Sequence, residues 1–380
     1  DWCISRQRFF GVPIPVWYCK KCGEIILPDE KDLPIDPEYH KPKKKCKCGS
    51  NEFIHDNDVF DTWMTSSMSN IISVKFDKKL LPMSLRPQSH DIIRTWAFYT
   101  ILKSYYHFKE IPWGEIAIGT FVLDDKGRGM SKSKGNVVWA DEVLKKYDVD
   151  TLRYWVGSAT FGSDLIYTEN EMMAGKRFLI KLWNASLFSL MHLKDYKPKK
   201  IKLEPFDDYF LYKLNEVIKK VTSNFDDYKI GEAKKIMDDY FWNYFCDNYL
   251  EIIKKRLYNE MGIKTESAKY VLHNILTSLL KLYAPIVPHI TEEIYSNFSK
   301  ESIHISDWPE LEKCSDIEKL GDEALNIISK VRKFKAENKK SLKEHVKITL
   351  DNKKLEIFKE DLESVCNAEI IFGKEFKIEF

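Results

Sequence analysis

No apolar run in the 380 residues approaches the roughly 20 that a bilayer-crossing helix needs. No secretory leader is read at the start, so no membrane partner is expected. Net charge is also nearly absent, with 60 Lys plus Arg against 58 Asp plus Glu, a formal +2. That balance excludes a global basic field, and any nucleic-acid binding has to rest on local patches. Lys41, Lys43, Lys44, Lys45 and Lys47 form one such patch, although a charge run of this kind is equally a solvated face. Dense, even cysteine spacing is missing too. Of eight cysteines, four lie close together near the N-terminus, and Cys3, Cys246, Cys314 and Cys366 are scattered. This excludes a secreted disulfide scaffold and fits a reduced, cytoplasmic protein with one metal site. Internal repeats and long low-complexity segments are absent. The chain opens on Asp1 rather than Met, in mid-pattern, so part of a longer protein is expected.

Apolar residues make up 44% of the chain, enough for a globular protein with two or three cores. Up to about Thr168, a strand-like run over 115–122 alternates with helical stretches over 92–106 and 141–158, which predicts an α/β layer. The proline-rich stretch from Pro28 to Pro42 reads as irregular. From about Glu169 helical periodicity takes over, with Met172, Leu179, Leu182, Trp183, Ser186 and Leu190 recurring at spacings of three, four and seven. Further helices are predicted over 207–224, 230–258 and 266–283, the last stopped by Pro285 and Pro288 before a short helix. This is the pattern of an antiparallel bundle, and its Met and aromatic stripes read as core. Beyond Trp308 and Pro309 a helix over 320–337 and strands over 346–350, 368–372 and 376–380 predict a small α/β appendage. The partition is therefore 1–168, 169–310 and 311–380.

Three groups of residues carry chemistry. The first is Gly129-Met130-Ser131-Lys132-Ser133-Lys134-Gly135-Asn136, after the turn Asp124-Asp125-Lys126-Gly127. A lysine on a glycine-flanked loop is a suitable cation for a polyphosphate whose charge grows during reaction, since phosphoryl chemistry is accelerated by positioning and electrostatics. By composition alone it is an ordinary basic turn. The second is Cys19 and Cys22 with Cys46 and Cys48, each pair followed by a glycine that lets the backbone turn its amides toward the thiolates. Four thiolates close a tetrahedral zinc shell with no open position, a structural site in a module spanning about 17–50; the bland reading is two unrelated thiol pairs. The third is Trp63, Ile92 and Trp96. Ile92 and Trp96 stand one helical turn apart on a shared face, a spacing that by itself reads as core.

In sequence order these residues resemble the class I aminoacyl-tRNA synthetases, in their valine branch. Asp1-Trp2-Cys3-Ile4-Ser5-Arg6-Gln7 with Gly11-Val12-Pro13-Ile14-Pro15 is similar to the stretch that re-enters the catalytic domain after the editing insertion. Asp61-Thr62-Trp63-Met64 resembles the valine branch's Asp-Thr-Trp segment. The run from Arg86 through His90, Asp91 and Ile92 to Trp96 resembles its adenylate-binding turn, in an archaeal style. Gly129 to Asn136 looks like the Lys-Met-Ser-Lys-Ser loop. Lys181-Leu182-Trp183-Asn184-Ala185 matches the helix opening the anticodon domain, and Ser302-Ile303-His304 with Trp308-Pro309 its end.

The resemblance implies the second half of a Rossmann-like nucleotide-binding catalytic domain with a zinc module, then an all-α anticodon-binding helix bundle and a small C-terminal α/β appendage. It implies a ligase that activates valine with ATP and Mg2+ and passes it to tRNA(Val). Lys132 then contacts the ATP phosphates, with Ser131 and Ser133 shaping the loop and Met130 beside them. Asp91 accepts hydrogen bonds from the ribose, with His90 adjacent. Trp63, Ile92 and Trp96 line the amino-acid pocket, and Cys19, Cys22, Cys46 and Cys48 hold zinc. Arg177 and Lys181 are expected at tRNA phosphates. Two departures stand out. Gly129 occupies the place of the loop's first lysine, with Arg128 just before it as the expected substitute cation, although the two are not interchangeable. None of the nine histidines begins a His-Ile-Gly-His motif, so that half of the site, like the editing domain, is expected before Asp1 as the missing N-terminal half. Rival readings are the isoleucine enzyme, a non-catalytic tRNA-binding piece and a zinc-stabilised interaction protein.

Overall fold

The computed structural model describes residues 2–259 and 262–380; Asp1, the first residue of the re-entry stretch, lies outside the described residues. The chain divides into two compact units, Asp1–Phe121 and Val122–Phe380. The sequence partition places its first boundary at 168/169. The compact division comes earlier because 122–168 packs on the helix Glu169–His192. Met172 of that helix shares a buried cluster with Val143, Trp155 and Tyr167, and Tyr154 stacks on Phe178 with ring centroids 4.2 Å apart.

In the first unit, strands Met83–Ser89 and Trp113–Gly119 pair in parallel, joined by the helix Phe98–Phe108. This is a βαβ crossover. A second module is a three-stranded antiparallel sheet of Trp17–Cys19, Ile25–Ile26 and Phe53–His55. The stretch from Pro28 to Pro42 is irregular apart from one 3-10 turn at Glu30–Asp32. The strand predicted over 115–122 is split, ending at Gly119 and resuming as Phe121–Leu123.

In the second unit the helix predicted over 141–158 is also split, into Ala140–Leu144 and Val149–Val156. Tertiary docking sets the second start. Buried Asp150 accepts from His289 Nδ1 at 2.8 Å and from the Ile290 N–H at 2.8 Å, tying it to the helix Pro288–Tyr295. The bundle itself consists of Glu169–His192, Pro205–Asp226, the continuous helical run from Ile230 to Asn259 and Ile263–Tyr283. The middle of that run, Tyr240–Tyr249, is wound with i→i+5 bonds.

The appendage contributes the helix Glu318–Glu337 and the strand Val346–Leu350. That strand pairs in parallel with Ala368–Phe372 and antiparallel with Lys377–Glu379. The helix Lys359–Cys366, absent from the sequence reading, supplies Leu362 and Cys366 to the core. Bundle and appendage share one continuous core. Gly321 is what permits this contact, since a Cβ there would sit 1.9 Å from the Tyr209 ring.

At the centre of this unit Asp207 is fully buried. It accepts from Arg256 Nη1 at 2.6 Å and Nη2 at 3.1 Å, Tyr249 Oη at 2.9 Å and Ser267 Oγ at 2.6 Å. Asp361, from the appendage, lies 3.2 Å from Arg256 Nε. Burial pushes the Asp361 carboxyl up to about 7, and the pull of Arg256 does not offset it because Asp207 also faces that cation and opposes a second negative charge.

Asp207→Ala strands the buried guanidinium, and such removals cost about 3–5 kcal/mol; the urea midpoint should fall accordingly. Because the folded Asp361 carboxyl titrates above its ordinary value, this site holds its proton more tightly when folded. Its contribution to stability is greatest below about pH 4 and declines as pH rises toward 7 and through it. The melting temperature of wild type minus that of Asp361→Asn should therefore decrease from pH 5 to 8; a flat difference would contradict the assignment.

Candidate functional site

The four cysteines of the first unit come together as expected from the sequence. Their Sγ atoms all lie within 4.8 Å of one another, with Cys22 and Cys46 3.4 Å apart and Cys19 and Cys48 3.6 Å apart. Zinc–sulfur bonds of about 2.3 Å in a tetrahedron set sulfurs roughly 3.8 Å apart, so the donor set fits zinc. Each pair sits on a turn closed by a glycine with positive φ. Gly23 (φ 74) donates to Cys19 O and Gly49 (φ 84) to Cys46 O, both at 2.8 Å. Buried Trp17 backs the cluster and donates its Nε1 to Pro37 O and His40 O, tying the proline-rich stretch to it. Burial would raise the Cys19 thiol, but the backbone N–H groups of Cys22 and Lys21 bring it down to about 6. Cys46 accepts from the Cys48 N–H, which lowers it, yet burial and the neighbouring thiols push it up to about 12.

The loop of the second unit hangs from a single buried carboxylate. Asp124 is 3% exposed. It accepts from the N–H groups of Lys126 (3.0 Å) and Arg128 (2.7 Å), from Arg128 Nε (2.9 Å) and from Asn136 Nδ2 (2.9 Å). The Asn136 amide and then Arg128 hold it well below the usual carboxylate range despite burial. Asn136 spans the loop, donating also to Gly129 O at 3.2 Å and accepting from the Ser131 N–H at 3.0 Å. Ser131 Oγ accepts from the Lys134 N–H and lies 3.2 Å from Ser133 Oγ. Met130 packs against the Val143–Trp155 cluster. Lys132 is left exposed, its Nζ 5.5 Å from the Trp139 ring centroid. Arg128, expected to stand in for the missing first lysine, is turned to Asp124, 2.8 Å away, so its charge is compensated within the loop. Asp124 and Asn136 were not picked out as fasteners; a buried-acid role is invisible in a turn that reads as solvent-exposed.

His90 and Asp91 follow directly on the strand Met83–Ser89 and are both exposed. They thus lie past the carboxyl end of a parallel strand, where α/β sheets take ligands. The His90 ring is edge-on to Phe121 at 5.5 Å. Ile92 ends a 3-10 turn, and Ile93–Ala97 winds as a π turn; the regular α-helical face assumed for Ile92 and Trp96 is not formed. Trp96 donates Nε1 to Ser66 O at 3.0 Å and Ser69 Oγ at 3.2 Å. Ser66 ends the short helix Thr62–Ser66 that carries Trp63, and Asp61 caps that helix at the Trp63 N–H. The two tryptophans therefore sit on neighbouring, hydrogen-bonded elements, both half-buried. Behind Trp96 lies buried Arg86, its guanidinium 3.3 Å from the Trp96 centroid and 4.5 Å from that of Trp113. Burial lowers it to about 10.

Of the expected RNA contacts, Arg177 is exposed on the helix Glu169–His192, with Lys181 one turn on and half-buried. The lysine patch is largely compensated, with Lys43 on Asp32, Lys44 on Asp29 and Lys47 on Glu24. No helix among the described residues is long and apolar enough to cross a membrane.

The family described as tRNA synthetases class I (I, L, M and V) matches residues 1–168, and the anticodon-binding domain of tRNA ligase matches 207–350. A valine–tRNA ligase of Archaeoglobus fulgidus is 42% identical over 97% of the chain and 44% of its own length. One of Wolbachia pipientis wMel is 42% identical over 100% of the chain and 46% of its own length. The chain thus spans less than half of these relatives. Among solved structures, the Agrobacterium radiobacter K84 LeuRS–tRNA–LeuAMS ternary complex is similar with TM-score 0.65 and 22% identity, over 82% of this chain and 42% of that one. Mycobacterium tuberculosis methionyl-tRNA synthetase with methionyl-adenylate has TM-score 0.53 and 18% identity, over 77% of this chain and 53% of that one. These distant likenesses concern the fold.

Metal analysis of protein purified without chelators should find one zinc per chain, and Cys19→Ser should lose it; zinc-free wild type would overturn the site. In the loop, Asp124→Asn should leave global melting nearly unchanged while raising amide exchange across 129–136 several-fold.

Proposed function

The chain belongs to the class I aminoacyl-tRNA synthetases, among the valine–tRNA ligases, and from that premise we propose that it carries the second half of a valine-activation site and the helices that read tRNA(Val). The assignment is 1–168 to catalysis, 169–310 to anticodon recognition and 311–380 to the appendage. In the first step a valine carboxylate oxygen attacks the α-phosphorus of ATP. The α-phosphorus–oxygen bond to pyrophosphate breaks, and negative charge gathers on the departing β- and γ-phosphates. Lys132 neutralises that charge, alongside the Mg2+ carried by ATP. The observation that supports this role most is the loop's construction: its base is fastened to Asp124 through Asn136 and Arg128, while Lys132 is exposed. A cation held on an anchored loop stabilises developing charge without reorganising first.

Asp91 accepts from the ribose hydroxyls, with His90 beside it at the strand end. Trp63, Ile92 and Trp96 wall the valine side chain, and the extra methylene of isoleucine overpacks a pocket of that size. Both named relatives are valine enzymes, which favours valine over isoleucine. Valine then passes from the adenylate to the terminal ribose of the tRNA, held through unstacked bases and backbone contacts, with Arg177 and Lys181 at phosphates. Zinc on Cys19, Cys22, Cys46 and Cys48 supplies a structural cross-link. The His-Ile-Gly-His half comes from the remainder of the enzyme, and the setting is cytoplasmic.

In protein carrying both halves, Lys132→Ala should lower valine-dependent pyrophosphate exchange by about 10²–10³-fold, the scale of losing one preorganised charge-stabilising group. Trp63→Ala should raise the valine requirement and narrow the preference over isoleucine. The 380-residue chain by itself should show no exchange above its Lys132→Ala control, and exchange well above that control would overturn the division of labour.

A further inference from the structure

Where the helices Glu318–Glu337 and Lys359–Cys366 close on the bundle, they leave a cleft of about 580 Å³. Five cations line it, Lys181, Lys254, Lys255, Arg332 and Lys335, against two carboxylates, Asp247 and Glu251. The whole chain carries only +2, so this concentration is local. Lys254 is matched by Glu251 at 2.6 Å. The other four have no carboxylate within 4.0 Å among the described residues.

Two of these four are built in. Lys335 is 1% exposed, and its ammonium donates to Leu342 O at 2.9 Å and Cys366 O at 2.6 Å. An ammonium has three donors, so one remains. Arg332 donates to Asn248 Oδ1 at 3.0 Å and Asp247 O at 2.9 Å, which fixes its fork at the cleft. Neutral acceptors satisfy these groups as donors without pairing them to a carboxylate, and for buried Lys335 an unpaired charge is costly. An entering anion offsets that cost, and a phosphate group, with several acceptor oxygens, makes charge-assisted bonds to both cation types. Ile328, Val331 and Leu342 form the apolar wall, and no aromatic side chain lines the cleft, so charge rather than base stacking sets what it takes.

We propose that this cleft between bundle and appendage is a phosphate-binding site, taking either a free phosphorylated molecule or an RNA backbone phosphate. It shares no lining residue with the Lys132 loop; because Lys181 is already placed at tRNA phosphates, the RNA source rests on that reading, whereas the free-molecule source does not.

The test is calorimetric titration of the folded 380-residue chain with inorganic pyrophosphate. Lys335→Met risks misfolding, so the variant is Lys255→Gln with Arg332→Gln, its melting temperature checked against wild type. Binding should weaken at least tenfold in this double variant and persist in Lys132→Ala. A second arm measures an RNA hairpin by fluorescence anisotropy across salt. If the double variant also loses about two from the salt slope and pyrophosphate competes, the phosphate belongs to RNA. If hairpin binding is unchanged while pyrophosphate weakens, the site takes a free molecule. Equal pyrophosphate affinity in wild type and double variant, loss of that binding in Lys132→Ala, or no pyrophosphate binding by folded wild type would each overturn the proposal.

Discussion

The bidentate pairing of Arg256 with Asp207 is the constraint around which the larger unit is arranged. A carboxylate with no exposure is tolerable only if every lone pair is answered, and here the answers come from different parts of the chain. Arg256 and Tyr249 lie on the long helical run, and Ser267 lies on the next helix. Asp207 itself sits in the first turn of Pro205–Asp226, where the helix dipole favours a negative charge. Three helices are thereby fixed in register by one side chain, and the aromatic core of Phe206, Phe210 and Tyr249 packs around that fixed point.

The chain uses the same economy on smaller scales, with different chemistry for different ends. In the first unit four soft sulfur donors meet from two turns, a set whose spacing fits a single zinc ion. In the second, hard oxygen acceptors on Asp124 gather a loop whose Lys132 is left exposed. The second arrangement fixes the loop's base and leaves its tip exposed to solvent, which suits a group whose partner arrives and departs.

Much of this was legible in the sequence where the signal is local. The four cysteines with their glycines predicted a cluster that the fold assembles. The strands at 346–350 and 368–372 and the helix from Glu169 fall where periodicity put them. What was not legible depends on distant partners. The break between Leu144 and Val149 follows from Asp150 meeting residues 139 and 140 positions away. The π winding at Ile93–Ala97 defeats a rule that assumes an α turn. The helix Lys359–Cys366 is short and rich in charge, so its few apolar residues look like nothing until the bundle supplies the other side. Arg128 was read as a spare cation because its acceptor, Asp124, sits in a segment that resembles an exposed turn.

The shared core of bundle and appendage has a consequence for biosynthesis. Chains emerge from the ribosome at about 5–20 residues per second. The cysteine module, complete within Trp17–His55, can close soon after it appears. Tyr209 must wait for Asp322, 113 residues later, before its hydroxyl is met and Gly321 covers its ring. That interval is on the order of ten seconds, during which the Tyr209 side of Pro205–Asp226 waits uncovered, although the bundle helices up to Tyr283 have already emerged to pack on its other side. Until the appendage arrives, the nascent bundle therefore keeps one apolar surface open to solvent.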